Sequence, residues 1–313
     1  MPHRGTARIQ LVVAALLFST GGAAIKWVDF TAMQIAGFRS GIAALTLLLV
    51  LPAARRGWSW RTGVVAVGYA ATLVLFVVAN RLTTAANTIF LQSTAPLYLL
   101  VLGPWLLKEP IRRRDFGFMV LVVVGLLMFF VGVEPAVSTA PDPARGNVLA
   151  AISGMSWALT ICGLRWLSDA APRPNRTAEL PDAAVAEPAD GALAAVVGGN
   201  LLAFLICLPQ SLPLGTHDAV DWLLLLYLGV FQIALAYVFV TRALRWLPAL
   251  EASILLLIEP ALNPVWAWVI HGEVPGVWAI FGGTLILGAT LLKTWVDARP
   301  AASRVVLGAE PPP

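Results

Sequence analysis

Ten stretches of about 20 mainly apolar residues, each long enough to cross roughly 30 Å of hydrocarbon as a helix, follow one another along this chain. They run over 9–26, 31–51, 62–80, 83–107, 115–133, 147–166, 192–213, 221–241, 246–270 and 274–293. A backbone immersed in lipid must satisfy its own polar groups, and these runs lack the alternation of barrel strands, so the expected fold class is all-α integral membrane. With 59% hydrophobic and 12% charged residues and a mean hydropathy of +0.82, 313 residues leave too much apolar surface for a water-soluble fold. The first run follows Arg4 and Arg8 and imitates a secretory signal, but nine runs come after it and it is expected to stay as an anchor.

The second constraint is internal similarity. Residues 81–128 lie over 245–292 at a constant offset of 164, pairing Arg81 with Arg245, Pro96 with Pro260 and Glu109 with Glu273. Apolar matches are cheap in such a chain, so these three carry the weight. Phe18, Lys26 and Trp27 match Trp157, Arg165 and Trp166 at an offset of 139. The expected architecture is therefore two five-helix repeats, 1–133 and 134–294, followed by a tail at 295–313. Five is odd, so the second repeat enters the membrane inverted relative to the first, as in many secondary transporters.

Charge predicts the orientation. With the N-terminus in the cytoplasm, 17 of the 21 Lys and Arg fall on cytoplasmic segments. Lys26, Arg81 and Arg145 fall outside and Arg39 lies within a run. That asymmetry follows the positive-inside rule and puts both termini in the cytoplasm of a multi-pass plasma or inner membrane protein. The pI near 9.4 then reflects loops facing anionic lipid, with no basic patch for nucleic acid. Segment 168–191, rich in Ala, Pro and acid, is expected to be a disordered cytoplasmic loop.

These features, together with FSTGGAAIKW (18–27), GFRSGIAAL (37–45), the segment around Ala95, Pro96 and Glu109, and residues 228–273, resemble the drug/metabolite transporter superfamily in its ten-helix EamA family. The resemblance implies a secondary transporter, often an exporter of amino acids, amphipathic metabolites or drugs. It also implies a central cavity built from helices 1 to 4 and 6 to 9, with helices 5 and 10 peripheral. Arg39 has no basic counterpart in the seventh run, where Asn200 is the nearest polar residue.

Candidate pathway residues follow from the cost of burying polarity. Arg39 is near midplane, where a basic residue costs about 2.5–3.5 kcal/mol; it either holds a substrate carboxylate with its planar fork or fixes packing permanently. Glu259, the one carboxylate near the centre of a run, precedes Pro260 and shares a face with Asn263. It either carries a proton as coupling ion or braces the kink, protonated or paired with Arg39. Pro96 and Pro260 mark expected helix breaks in the fourth and ninth runs. Gln92, Tyr98 and Gln232 either line the cavity or bond between helices, and Trp157 either stacks on a ligand or packs. Glu109 and Glu273 are candidate gates at opposite faces, or solvated helix-end acids. Lys26 and Arg81 are expected to snorkel to the interface.

Cys162 and Cys207 offer no metal spacing, and no cofactor motif is present. A membrane-embedded enzyme would need a constellation such as GxSxG, HExxH or an intramembrane aspartate pair, none of which occurs. A non-transporting scaffold remains the third class. The expected partners are a small solute, protons and lipid. Glycines 282, 283 and 288 in the last run permit close helix contact within a monomer or across a homodimer.

Overall fold

A computed structural model describes residues 2–106, 113–169, 190–243, 247 and 254–298. Ten helical spans appear where the ten apolar runs place them. We label them α1 (Pro2–Ser19 continued by Gly21–Trp27), α2 (Ala32–Val50), α3 (Trp60–Leu82), α4 (Ala85–Gln92 and Ala95–Leu106), α5 (Arg113–Val131), α6 (Pro143–Asp169), α7 (Asp190–Ser211), α8 (Ala219–Ala243), α9 (254–256 and Ile258–His271) and α10 (Val277–Ala298). Among the described residues nine are long and apolar enough to cross a membrane, and α5 holds a shorter apolar helix, Asp115–Val131. The expected loop 168–191 and tail 295–313 lie, for most of their length, outside the described residues, and their described ends, 168–169, 190–191 and 295–298, are helical.

Polar caps define where the helices start. Thr31 and Ser59 each close a capping box, with Gln34 and Thr62, and Thr84 and Asp218 accept from the backbone N–H three residues on. Alanines such as Ala14, Ala36, Ala43, Ala79 and Ala150 are fully buried where spans cross, because lipid gives no hydrophobic drive and close backbone approach must supply the attraction. α5 and α10 pack on each other through Phe118, Val122, Phe129 and Ile286.

Contacts between distant segments agree with strict alternation across the membrane. Lys26 at the end of α1 meets Glu273 at the end of α9, and Asp29 after α1 donates its N–H to Asp221 at the start of α8 at 2.9 Å. On the opposite face Arg61, starting α3, stacks on Trp166, ending α6, at 5.0 Å, and Lys293 of α10 pairs with Asp115 of α5 at 2.7 Å. The sixth span thus starts on the face where the first ends, so the two five-helix halves are inverted.

The helix breaks sit upstream of the prolines expected to mark them. In α4 the first piece ends at Gln92 and in α9 at Leu256, each four residues before the proline, with turns at Ser93–Thr94 and Leu257. Pro96 and Pro260 lack the N–H that would bond the carbonyls of Gln92 and Leu256, and their rings crowd those carbonyls, so the helix stops there and restarts with the proline in its first turn. Glu259 is accordingly helical. Ser93 and Leu257 are themselves 164 positions apart, so the repeat is present in the backbone as well as in the sequence.

Candidate functional site

A cavity of about 150 Å³ opens between the two halves, lined by Phe18, Arg39, Tyr69, Thr72, Leu73, Phe76, Gln92, Trp157, Gln232, Ile233, Tyr237 and Glu259. It draws on α1 to α4 and α6, α8 and α9. Five of the residues singled out from sequence meet here: Arg39, Gln92, Trp157, Gln232 and Glu259. Two do not line it. Tyr98 is half-buried elsewhere on α4, and Asn263 is fully buried behind the wall, against Gly22.

Arg39 and Glu259 share the cavity, yet no ion pair among the described residues joins them. Arg39, 2% exposed, donates from Nη2 to the Leu73 carbonyl at 3.3 Å, and its Nε has no partner. The guanidinium is therefore held on α3 with donors to spare. Glu259 makes no hydrogen bond or ion pair among the described residues. The expected alternative in which the two pair with each other is not met: Arg39 bonds the Leu73 carbonyl of α3 instead.

Aromatic rings complete the chamber. Tyr69 packs edge-on against Tyr237 with centroids 5.9 Å apart, Tyr237 against Phe18 at 5.6 Å, and Trp157 is tilted on Tyr69 at 6.4 Å. A cation between such faces gains electrostatic attraction beyond contact area. Tyr69, Tyr237 and Phe18 went unassigned in the sequence, although Phe18 pairs with Trp157 at the offset of 139, and the offset of 164 carried back pairs Tyr69 with Ile233 and Leu73 with Tyr237. All six line the cavity, so internal symmetry was the signal that could have found them. The π-helix Leu228–Leu235, which turns Gln232 inward, carried no signal at all. Gln92 donates to Ser153 at 2.9 Å, tying α4 to α6 at the cavity edge.

Above the cavity, on the face where α1 and α9 end, polar groups close the bundle. Lys26 and Glu273 form an ion pair at 3.0 Å with 3% of each side chain exposed. Lys26 Nζ also donates to the carbonyls of Thr83, at 2.8 Å, and Thr139. Glu273 accepts from the Ala85 N–H, the first of the α4 half-helix, where a carboxylate complements the helix dipole. Gly272 makes this possible: at φ 63° it ends α9 in the left-handed region, which a side chain resists, and folds Glu273 back over the bundle. Arg81 donates to the carbonyls of Ile25, Lys26 and Val28, capping α1. Lys26 is thus buried and paired where snorkelling was expected, because these carbonyls and Glu273 supply what water would have. Beside them Glu134, in the loop after α5, accepts from the Gly276 N–H at 2.7 Å; burial, offset in part by that bond, and the charge of Glu273 push its carboxyl up. The other candidate gate, Glu109, lies outside the described residues.

Comparison with known proteins agrees with this geometry. The profile of the EamA-like transporter family matches residues 6–131 and 189–295, and the chain belongs to that family. It is a multi-pass membrane transporter of the drug/metabolite transporter superfamily, ten helices in two inverted halves. Pseudopaline exporter CntI of Pseudomonas aeruginosa is 26% identical over 287 residues, covering 90% of this chain and 93% of the relative, and this holds for the proteins of strains UCBPP-PA14 and PAO1 alike. One solved crystal structure superposes over 95% of this chain and 100% of its own with a TM-score of 0.59 at 16% identity, a likeness of fold alone.

Proposed function

We propose that this chain exports a small organic solute by alternating access, with the solute seated between Arg39 and the aromatic rings and a proton exchanged at Glu259. The carrying observation is the cavity itself: one chamber between inverted halves, holding a guanidinium with free donors on one wall and an unpaired carboxyl on another. A guanidinium suits a carboxylate or other oxyanion on the solute, and the rings suit an apolar or cationic portion. A volume of about 150 Å³ is comparable to engineered cavities that admit benzene, so the solute has roughly the bulk of a single ring or the chamber enlarges on opening. Export as the direction is supported by the CntI relatives.

Glu273 with Lys26 serves as the gate on the outer face, and Glu109 is its sequence counterpart on the inner face. The charge asymmetry supports cytoplasmic termini in the inner membrane, so the Lys26 face looks outward. Reporter fusions at the C-terminus test that orientation. Family membership favours a transporter over a membrane-embedded enzyme, and a scaffold would leave the buried charges dispensable. The test is a comparison of solutes released by cells carrying wild type, Arg39→Ala or Glu259→Gln at matched membrane levels: loss of export in both variants supports the reading, and undiminished export in both contradicts it.

A further inference from the structure

On the face of the bundle where α3 begins and α4 and α6 end, there is an apolar groove of about 540 Å³. Val64, Val67 and Gly68 of α3 line one side, Leu159 and Gly163 of α6 the other, and Trp105 of α4 flanks them. Val64, Val67, Leu159 and Trp105 are exposed, so the groove faces the acyl chains of the bilayer. At its end Trp60 and Trp166 hold Arg61: the guanidinium carbon stands 5.0 Å from the centre of the Trp166 ring and 5.7 Å from that of Trp60, and the two rings meet edge to face at 5.5 Å. Arg61 makes no hydrogen bond or ion pair among the described residues. Stacking occupies the faces of a guanidinium and leaves its in-plane N–H donors free. A fork fixed in this way, with its donors unspent, suits an oxyanion held bidentately. Residues 52–82 contain no acid, and Arg55 and Arg56 stand exposed just before α3. The equivalent positions in the repeat differ. At the offset of 164 Arg61 falls on fully buried Leu225, and Val67 falls on Phe231, whose ring stacks on Tyr227 with centroids 5.9 Å apart. The cationic end and the open wall are thus additions at one of two equivalent places, which the fold itself does not require.

We infer that this groove binds one anionic phospholipid, with an acyl chain laid between α3 and α6 and the phosphate on Arg61. From Arg61 to Gly68 α3 rises about 10 Å, which seats the upper part of a chain. Trp60 and Trp166 lie at the ends of their spans, the depth at which tryptophans meet head groups, so phosphate and guanidinium share one level. Net negative charge is favoured because a zwitterionic head group brings its own cation to a place already occupied by Arg55, Arg56 and Arg61. The groove joins α3 and α4 of one half to α6 of the other, so a bound lipid stabilises the two halves in this arrangement. The leaflet is the inner one on the orientation proposed above; binding and its test depend neither on that orientation nor on the solute transported.

Native mass spectrometry of the full-length protein, released from detergent holding equal amounts of phosphatidylglycerol and phosphatidylcholine with the same acyl chains, reads the first bound lipid. Wild type is expected to retain phosphatidylglycerol over phosphatidylcholine by at least about fivefold, the factor that one basic residue contributes at an anionic surface. Arg61→Gln brings the ratio near parity, whereas Arg242→Gln, at an exposed arginine of α8 on the same face, leaves it unchanged. Val67→Trp, at an exposed position of the wall, fills the groove and lowers the adducts of both lipids. Melting curves give a second reading: added phosphatidylglycerol raises the wild-type midpoint and raises it less in Arg61→Gln and Val67→Trp, and the curves without lipid show that each variant is folded. A wild-type preference kept in Arg61→Gln overturns the site, as does an undiminished first adduct in Val67→Trp. Glycerol phosphate retained as well as the lipid would assign Arg61 to a soluble phosphate, and a dimer lost in Val67→Trp would assign the groove to a second copy of the chain; either result overturns the inference.

Discussion

Lys26 and Glu273 lie 247 positions apart in the chain and 3.0 Å apart in space, and almost no solvent reaches either. The pair joins the end of α1 in one half to the end of α9 in the other. Through Thr83, Thr139 and Ala85 it also holds the α3–α4 and α5–α6 turns. Removing either partner leaves the other charged and buried, which costs about 3–5 kcal/mol in such settings. Lys26→Met and Glu273→Gln are each expected to favour an open outer face, read as faster labelling of a thiol at Thr84→Cys. The double variant Lys26→Met with Glu273→Gln, which leaves neither charge buried alone, is expected to recover part of the loss; equal labelling in wild type and both single variants would count against a gate.

The Glu134 carboxyl is pushed up by burial and by Glu273. An acid whose folded pKa is raised binds its proton more tightly in the closed state than when released. That state is therefore favoured at low pH, and the advantage is lost as pH rises from the ordinary carboxylate range through the raised value. Thermal melting of the protein in detergent should fall across that window in wild type and lose this component in Glu134→Gln. An unchanged slope in the variant would show that another group sets it.

Pro260→Ala returns an N–H to the Leu256 carbonyl. A proline in the first turn costs the restarted helix little, but its removal lets the helix run on across Leu257, so the variant is expected to melt higher while exporting less, because the interruption that positions Glu259 closes. Pro96→Ala is expected to act in the same direction on Gln92. Export at wild-type rate in both, with melting raised, would show the breaks to be incidental.

Gly272→Ala places a side chain in the left-handed region and is expected to cost about 1 kcal/mol, moving Glu273 off Lys26. Its labelling at Thr84→Cys should fall between wild type and Glu273→Gln. Labelling as in wild type would show that Glu273 reaches Lys26 without this turn.

The spans were legible because a helix in lipid must be continuous and apolar, which leaves little freedom in where Ala32–Val50 or Trp60–Leu82 can begin. The inverted halves were legible from Arg81, Pro96 and Glu109 and their partners. The breaks were displaced by four residues, since a proline acts on the carbonyl one turn behind it. Lys26 was misread because its partners come from turns far along the chain, and no local pattern encodes a tertiary ion pair. Tyr69 and Tyr237 were passed over because an aromatic in a span looks the same whether it packs or lines a chamber. Arg39 and Glu259 were visible through the cost of burying them, while the bond of Arg39 to the Leu73 carbonyl in place of Glu259 depended on how α2 and α3 pack.

The most direct measurement is the set of metabolites accumulating in the medium of cells that express wild type, Arg39→Ala and Glu259→Gln at equal membrane abundance. At least one solute rising with wild type and returning to the level of cells lacking the protein in each variant is the predicted result. Solutes released equally by all three chains would contradict a cavity in which these two side chains carry transport.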